Sequence, residues 1–152
     1  MRLREGTLAD VDTIVRHRRL MFEEMGFTDS TRNDKMDRQV RADLVAAIPS
    51  GRYVAWLVED PSGAVIAGAG LSVIRLLGKP FNPSGTYAYL MSLYVEPAFR
   101  RRGIARHLVR LMIDWSRREG LAEVKLHASV AGRALYEELG FLETNEMRLS
   151  LE

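Results

Sequence analysis

The stretch Leu93-Tyr94-Val95-Glu96-Pro97-Ala98-Phe99-Arg100-Arg101-Arg102-Gly103-Ile104-Ala105 decides how the rest of the chain is read. It passes from an apolar, β-leaning segment through a basic turn into a run in which Ile104, Ala105, Leu108, Leu111, Met112 and Trp115 fall on one helical face. The first N–H groups of a helix have no intrahelical partner and sit at the positive end of its dipole, so this order predicts a phosphate site. Gly103 lets an anion approach the backbone closely, and Ala105 adds little bulk. One helix end contributes only about 0.3–1 kcal/mol to an exposed anion, so several N–H groups and arginines must converge, an arrangement that suits a pyrophosphate. The competing reading is a solvated basic turn, but its place between an apolar strand and an amphipathic helix favours the phosphate site. Two other phosphate motifs fail: Gly68 and Gly70 lack a third glycine at Val73, and Gly78-Lys79 lacks both the upstream glycine and the following hydroxyl residue.

Working outward, Arg2 to Glu5 alternates weakly as a short strand, and Thr7-Leu8-Ala9-Asp10 resembles a capping box. Val11, Ile14, Val15, Met21, Phe22 and Met25 form one helical stripe ended by Gly26. Met36, Val40, Leu44 and Ile48 form a second, closed by Pro49-Ser50-Gly51. Tyr53 to Val58 and Ala64 to Ile74 read as a hairpin about the turn Asp60-Pro61-Ser62-Gly63. A turn-rich loop, Gly78 to Gly85, leads to a strand over Tyr87 to Val95. After the helix that begins at Ile104, Val124 to Ala128 reads as a strand, Ala131 to Leu139 as a short helix, and Phe141 onward as one or two last strands. Strand, crossover helix, strand predicts parallel pairing in the second half, against antiparallel pairing in the first.

The chain has 152 residues, 47% hydrophobic and 28% charged, which fits one folded domain spanning 1–152 and rejects disordered or fibrous classes. It contains no cysteine, so neither a thiolate metal site nor a cysteine nucleophile is available. No apolar run is long enough for a signal peptide or membrane span, and the expected location is the cytoplasm. Net charge is +2, but Arg100 to Arg118 holds seven arginines against the single acid Asp114, so the remainder is net acidic. The apolar face of that same helix makes it a poor reader of nucleic acid. His17, His107 and His127 have no metal-ligand spacing, and no metal is expected.

Val95-x-Pro97-x-x-Arg100-x-x-Gly103-x-Ala105 resembles the acyl-CoA-binding motif of the GNAT superfamily of N-acetyltransferases, and Ser129 to Phe141, ending Leu135-Tyr136-x-x-x-Gly140-Phe141, is similar to that family's second signature. The resemblance covers about Tyr87 to Phe141 and implies an α/β fold, a twisted mixed sheet of six to seven strands with about four helices. Its fourth and fifth strands would splay into a slot for the pantetheine arm of acetyl-CoA. The resemblance further implies that backbone groups of Leu93, Tyr94 and Val95 pair with that arm, and that N–H groups of the turn Arg101, Arg102, Gly103, Ile104, Ala105 and Arg106 hold the pyrophosphate. Arg100 stands beside them. There are two departures: Ala105 stands where glycine is common, and Ser129 where asparagine is usual, the latter still able to cap the short helix.

Acetyl transfer to an amine needs a neutral nucleophile and a proton for the departing thiolate. Roughly one in ten α-amines but only about one in 2,500 lysine-type amines is neutral at pH 7, so a base or desolvation must help. Tyr136 matches the tyrosine that serves as general acid in many family members. A phenol of pKa about 10 facing a thiol of about 8.5 is mismatched by roughly 2 kcal/mol, so it hydrogen-bonds or donates late; its other reading is as a packing aromatic. For the base, Glu96, Glu23, Glu24 and a water relay all stand open, with His127 as a further relay candidate. The expected acceptor is a primary amine of a small molecule or peptide, with Phe22, Met25, Phe27 and Met36 as pocket or core and Gly26 to Asn33 and Gly78 to Gly85 as selectivity loops. Homodimers are frequent in the family. A catalytically inactive CoA-binding regulatory domain is the alternative.

Overall fold

The computed structural model describes all residues 1–152. Its elements in chain order are β1 (Arg2–Glu5), α1 (Val11–Glu24), α2 (Ser30–Ala47), β2 (Tyr53–Glu59), β3 (Val65–Arg75), β4 (Thr86–Val95), α3 (Ile104–Arg118), β5 (Val124–Lys125) and α4 (Arg133–Glu138). The strands form one mixed sheet in the order β1-β2-β3-β4-β5, antiparallel up to β4 and parallel between β4 and β5. The parallel pair is joined through α3, as the strand–helix–strand order predicted.

Each face of the sheet packs against its own helices. On one, Trp56, Val58, Ala69, Leu71, Ala88 and Leu90 meet Ile104, Leu108, Val109 and Met112 of α3. On the other, Tyr53, Ala55 and Leu57 meet Val11, Ile14 and Val15 of α1 and Leu44 of α2. The capping box at Thr7 is formed: Thr7 Oγ1 accepts from the Ala9 N–H, and the Thr7 N–H donates to Asp10 Oδ2 at 2.8 Å. Asp10 also takes two bonds from Arg4, which clamps α1 to β1. Leu108 is wholly buried at the centre of the α3 face. Leu108→Ala should therefore lower unfolding free energy by about 2–5 kcal/mol, read as a shift in urea midpoint.

The strand content is lower than six to seven. β5 pairs with β4 over only Ala88↔Val124 and Tyr89↔Lys125, so the strand expected to reach Ala128 stops at Lys125. Residues 142–152 form no strand, because none of their backbone groups pairs with another strand's backbone; Leu142, Met147, Leu149 and Leu151 stand exposed. No helix is long and apolar enough to cross a membrane.

Candidate active site

β4 carries an irregularity that organises everything near it. Gly68 pairs with Tyr94 but Gly70 with Met91, so β4 has one residue more than β3 between these points. Ser92 takes up the extra length at φ 58°, in the left-handed region that serine seldom occupies. A bulge bends the strand that holds it, and β5 has already stopped pairing at Tyr89. The edge of β4 from Leu90 to Val95 thus opens into a slot on the β5 side, at the place where splaying was expected. Leu93 and Val95 turn their side chains to the α3 core and Tyr94 is buried against α1.

The slot ends at the basic turn. Arg101 (φ 63°) and Gly103 (φ 78°) both adopt left-handed backbone there, and Gly103 begins α3. The first backbone bond of that helix is His107 N–H to Gly103 O, at 3.0 Å. The N–H groups of Arg101, Arg102, Gly103, Ile104, Ala105 and Arg106 consequently have no partner in the chain. Successive unpaired N–H groups in such a turn make a concavity suited to an anion, reinforced by the helix dipole. These donors fit a diphosphate. The arginine side chains are less free. Arg100 donates to Val95 O at 2.8 Å and pairs with Glu24 at 2.6 Å, Arg102 donates to Ala98 O, and Arg106 pairs with Glu138 of α4. Arg101 alone of the four has no partner.

α4 stands on the far side of the slot. Ser129 closes the turn that leads into it, its Oγ accepting from the Gly132 N–H at 3.1 Å and its carbonyl from the Arg133 N–H, while Gly132 holds the cap position. Tyr136 lies half-buried, with its ring edge-on to Phe141 at 5.8 Å and packed on the α3-side core. Its hydroxyl has no hydrogen-bond partner within the chain, and burial pushes its pKa up, so it remains protonated across the physiological range.

The three carboxylates weighed as bases are all engaged by arginine: Glu23 by Arg19 at 2.9 Å, Glu24 by Arg100, and Glu96 by Arg16 at 2.7 Å. Glu96 faces α1, with its backbone N–H donated to Ile66 O. His127 meets the Tyr89 hydroxyl across the mouth of the slot, a hydrogen bond between β4 and the segment after β5. The loop Gly78 to Gly85 is pinned rather than open: buried Asn82 donates to Thr86 O and to Glu123, and Lys79 pairs with Glu123.

Beneath the bulge, on the α1 side, lies a polar group that the sequence reading passed over. Arg18 Nη1 donates to Ser92 Oγ at 2.9 Å, and Tyr53 lines the same small space as Ser92. Gly70 exists for this ring: a Cβ there would lie 2.0 Å from the Tyr53 hydroxyl oxygen. A cavity of about 10 Å³ between Ile14, His17, Tyr53, Gly68 and Ser92 has room for about one water. The signal was present in the sequence, since the core-facing residues of β4 run Ala88, Leu90, then Leu93 and Val95, a step of three where a regular strand steps by two.

His17 is 2% exposed, and its Nε2 lies 3.5 Å from Glu96 without a bonded geometry. Burial lowers its pKa, with Glu96 opposing only in part, so the folded protein holds it neutral. The unfolded chain then binds the extra proton below the ordinary histidine pKa of about 6.5, and stability must fall as pH drops through that value. Asp10, whose pKa is lowered by Arg4, loses its contribution only below the ordinary value of 3.8. Between about pH 4 and 6.5, therefore, the decline in unfolding free energy should be clearly shallower in His17→Gln than in the wild type, as denaturant titrations at each pH would measure.

A split parallel pair in a mixed sheet thus ends on a turn of unpaired N–H groups. A sequence profile of the acetyltransferase (GNAT) family matches residues 15–141, and the chain belongs to that family. It is 38% identical over 63 residues to an aminoglycoside N(6')-acetyltransferase type 1 of Acinetobacter genomosp. 13, covering 40% of this chain and 43% of the relative. To N-alpha-acetyltransferase 30 of Saccharomyces cerevisiae it is 32% identical over 102 residues, covering 65% of this chain and 56% of that one. The chain thus spans about half the length of these curated relatives. Among solved structures, a GCN5-related N-acetyltransferase from Ralstonia eutropha superposes with TM-score 0.91 at 32% identity, over 99% of this chain and 97% of that one. A predicted acetyltransferase with acetyl-CoA from Clostridium acetobutylicum shares the fold with TM-score 0.92 at 23% identity, over 99% and 96% of the two chains.

Proposed function

We propose that this chain, acting as one domain over residues 1–152, transfers the acetyl group of acetyl-CoA directly to a primary amine within a ternary complex. The observation that carries the reading is the run of six unpaired N–H groups from Arg101 to Arg106 at the end of the β4–β5 slot. They hold the pyrophosphate of the coenzyme, while backbone groups of Leu93, Tyr94 and Val95 on the open edge of β4 take the pantetheine arm. Ser129 holds the turn before α4 near that arm, and its contact to the coenzyme is secondary. Tyr136, with its hydroxyl free of protein partners, hydrogen-bonds the departing thiolate.

Deprotonation of the amine falls to water rather than to a carboxylate. Glu23, Glu24 and Glu96 would each have to break an arginine pair before accepting a proton. The ion-paired Glu96 is better assigned to holding α1 against the end of β4 than to catalysis. That the relatives are an aminoglycoside N(6')-acetyltransferase and an N-alpha-acetyltransferase supports an amine acceptor without choosing one.

The test is a thiol-release screen of amines with acetyl-CoA, following free CoA. Turnover on one class of amine supports the assignment and names the acceptor. Saturable CoA binding with no thiol released from any amine would instead leave a catalytically inactive coenzyme-binding domain. Binding that weakens steeply with salt and does not saturate with CoA would point to nucleic acid.

A further inference from the structure

Four arginines of this chain are not fully exposed: Arg4, Arg18, Arg19 and Arg106. Three are ion-paired, Arg4 to Asp10 and Glu59, Arg19 to Glu23, Asp34 and Asp37, and Arg106 to Glu138. Arg18 has no carboxylate within ion-pair distance. Its guanidinium stacks on Phe22 at 5.0 Å and gives one bond, from Nη1 to Ser92 Oγ. Its Nε is shielded from water and has no acceptor. The Nε–Nη2 edge, which a carboxylate or phosphate engages with two parallel bonds, is unused.

No group facing Arg18 neutralises it. Tyr53, beside Ser92, is kept neutral by burial, and Ser92 carries no charge. Arginine itself does not lose its proton in a protein. A cation partly drawn out of water with one neutral hydrogen bond and no counter-charge is destabilising, because the hydration lost at Nε is not replaced. Such a group is retained where a ligand brings the missing charge. The ligand here is placed by the bulge: Arg18 bonds the very residue, Ser92, at which β4 bends beside the coenzyme slot.

We infer that Arg18 is the specificity determinant for an anionic group carried by the acceptor amine, so that the preferred acceptor is an amine bearing a carboxylate or phosphate and not a polycation. This rests on the acetyltransferase reading above and narrows its acceptor. Reaching it requires that the anion meet Nη2, the guanidinium nitrogen that is neither bonded nor shielded, while the amine of the same molecule faces the thioester.

The experiment uses acceptor pairs that differ in the anion alone: α-amino acids against their decarboxylated amines, and amino-sugar phosphates against the unphosphorylated amino sugars. The first pair reports a carboxylate and the second a phosphate. In the wild type the anionic member of one pair should be favoured by roughly 30-fold or more in kcat/KM, the worth of a charged hydrogen bond. In Arg18→Met that ratio should fall to within about threefold of one. A wild-type ratio near one in both pairs, or a ratio that survives in Arg18→Met, overturns the inference.

Two measurements do not depend on turnover. Calorimetry with CoA present should show N-acetylglycine binding to the wild type, no binding of N-acetylglycinamide, and loss of N-acetylglycine binding in Arg18→Met; a phosphate-selective site would bind O-phosphoethanolamine in the same Arg18-dependent way, and failure of both probes overturns the inference. Arg18→Met should also raise the melting temperature by roughly 2–6 °C, because methionine fills the space without an unmatched charge. A lowered melting temperature would assign Arg18 to the fold instead. Absence of thiol release with every amine, alongside Arg18-dependent anion binding, would overturn the transferase reading while leaving this site standing.

Discussion

Gly103→Glu is expected to weaken CoA binding by at least about 100-fold while leaving the protein folded. Gly103 sits at φ 78°, and no atom lies within 4 Å of where a Cβ would stand, so the new side chain meets only the strain of a left-handed backbone. That strain is on the order of 1–2 kcal/mol, less than the stability of an ordinary domain. The carboxylate, however, enters the concavity formed by the N–H groups of Arg101 to Arg106. Two like charges about 4 Å apart repel by about 4 kcal/mol at an effective dielectric near 20, equivalent to a loss between 100- and 1,000-fold. Calorimetric titration with CoA measures the loss, and far-UV circular dichroism with a melting curve checks the fold. Gly103→Ala separates the two effects, since it introduces the strain without the charge and should cost about tenfold or less. Tight CoA binding by Gly103→Glu would remove the phosphate turn from the proposed function.

Tyr136→Phe should lower kcat by about 100-fold with CoA affinity changed less than threefold, the signature of an interaction made in the transition state only. The substitution keeps the ring that packs edge-on to Phe141 and against Gly132, where a Cβ would already approach Tyr136 Cε2 to 3.0 Å. What it removes is a hydroxyl without a protein partner, so stability should move by less than about 1 kcal/mol. Burial raises the phenol above its ordinary value. Full proton transfer to a thiolate is then further uphill than the roughly 2 kcal/mol of an unperturbed phenol, and the group contributes as a hydrogen-bond donor. Steady-state kinetics of the two proteins decide the matter; equal kcat would take Tyr136 out of the mechanism.

His17 and Arg18 are adjacent on α1 and resolve the same problem in opposite ways. Both are drawn out of water by packing against the bulged end of β4. The imidazole can shed its charge, and does so with its pKa lowered by burial. The guanidinium cannot, which is why its missing partner points to a ligand and that of His17 points only to a pH-dependent stability.

The order of elements and the open N–H turn before α3 were legible from the chain because each rests on local chemistry. Gly103 after three arginines and before an apolar stripe specifies a helix start with open N–H groups whatever surrounds it. The hairpin at Asp60 to Gly63, the capping box at Thr7 and the parallel crossover through α3 follow from turn chemistry, side-chain hydrogen bonding and chain connectivity in the same way. Strand length was not local. Val124 to Ala128 has the composition of a strand, yet a strand exists only where a neighbour supplies backbone partners, and β4 turns away after Tyr89. The same reason leaves 142–152 without a strand despite the alternation of Met147, Leu149 and Leu151.

By itself, then, the amino-acid order determined the family, the element sequence and the place where a run of backbone N–H groups stays unpaired, since these depend on residues within a few positions of one another. Only the tertiary structure decided which charges are free. Glu96, Glu24 and Arg100 look available along the chain and are tied up by partners as many as 80 positions away, while Arg18, unremarked in a run of basic residues, is the one partly withdrawn from water with no carboxylate to pair it. Ion pairing and desolvation are set by distances through space, and sequence separation carries no measure of them.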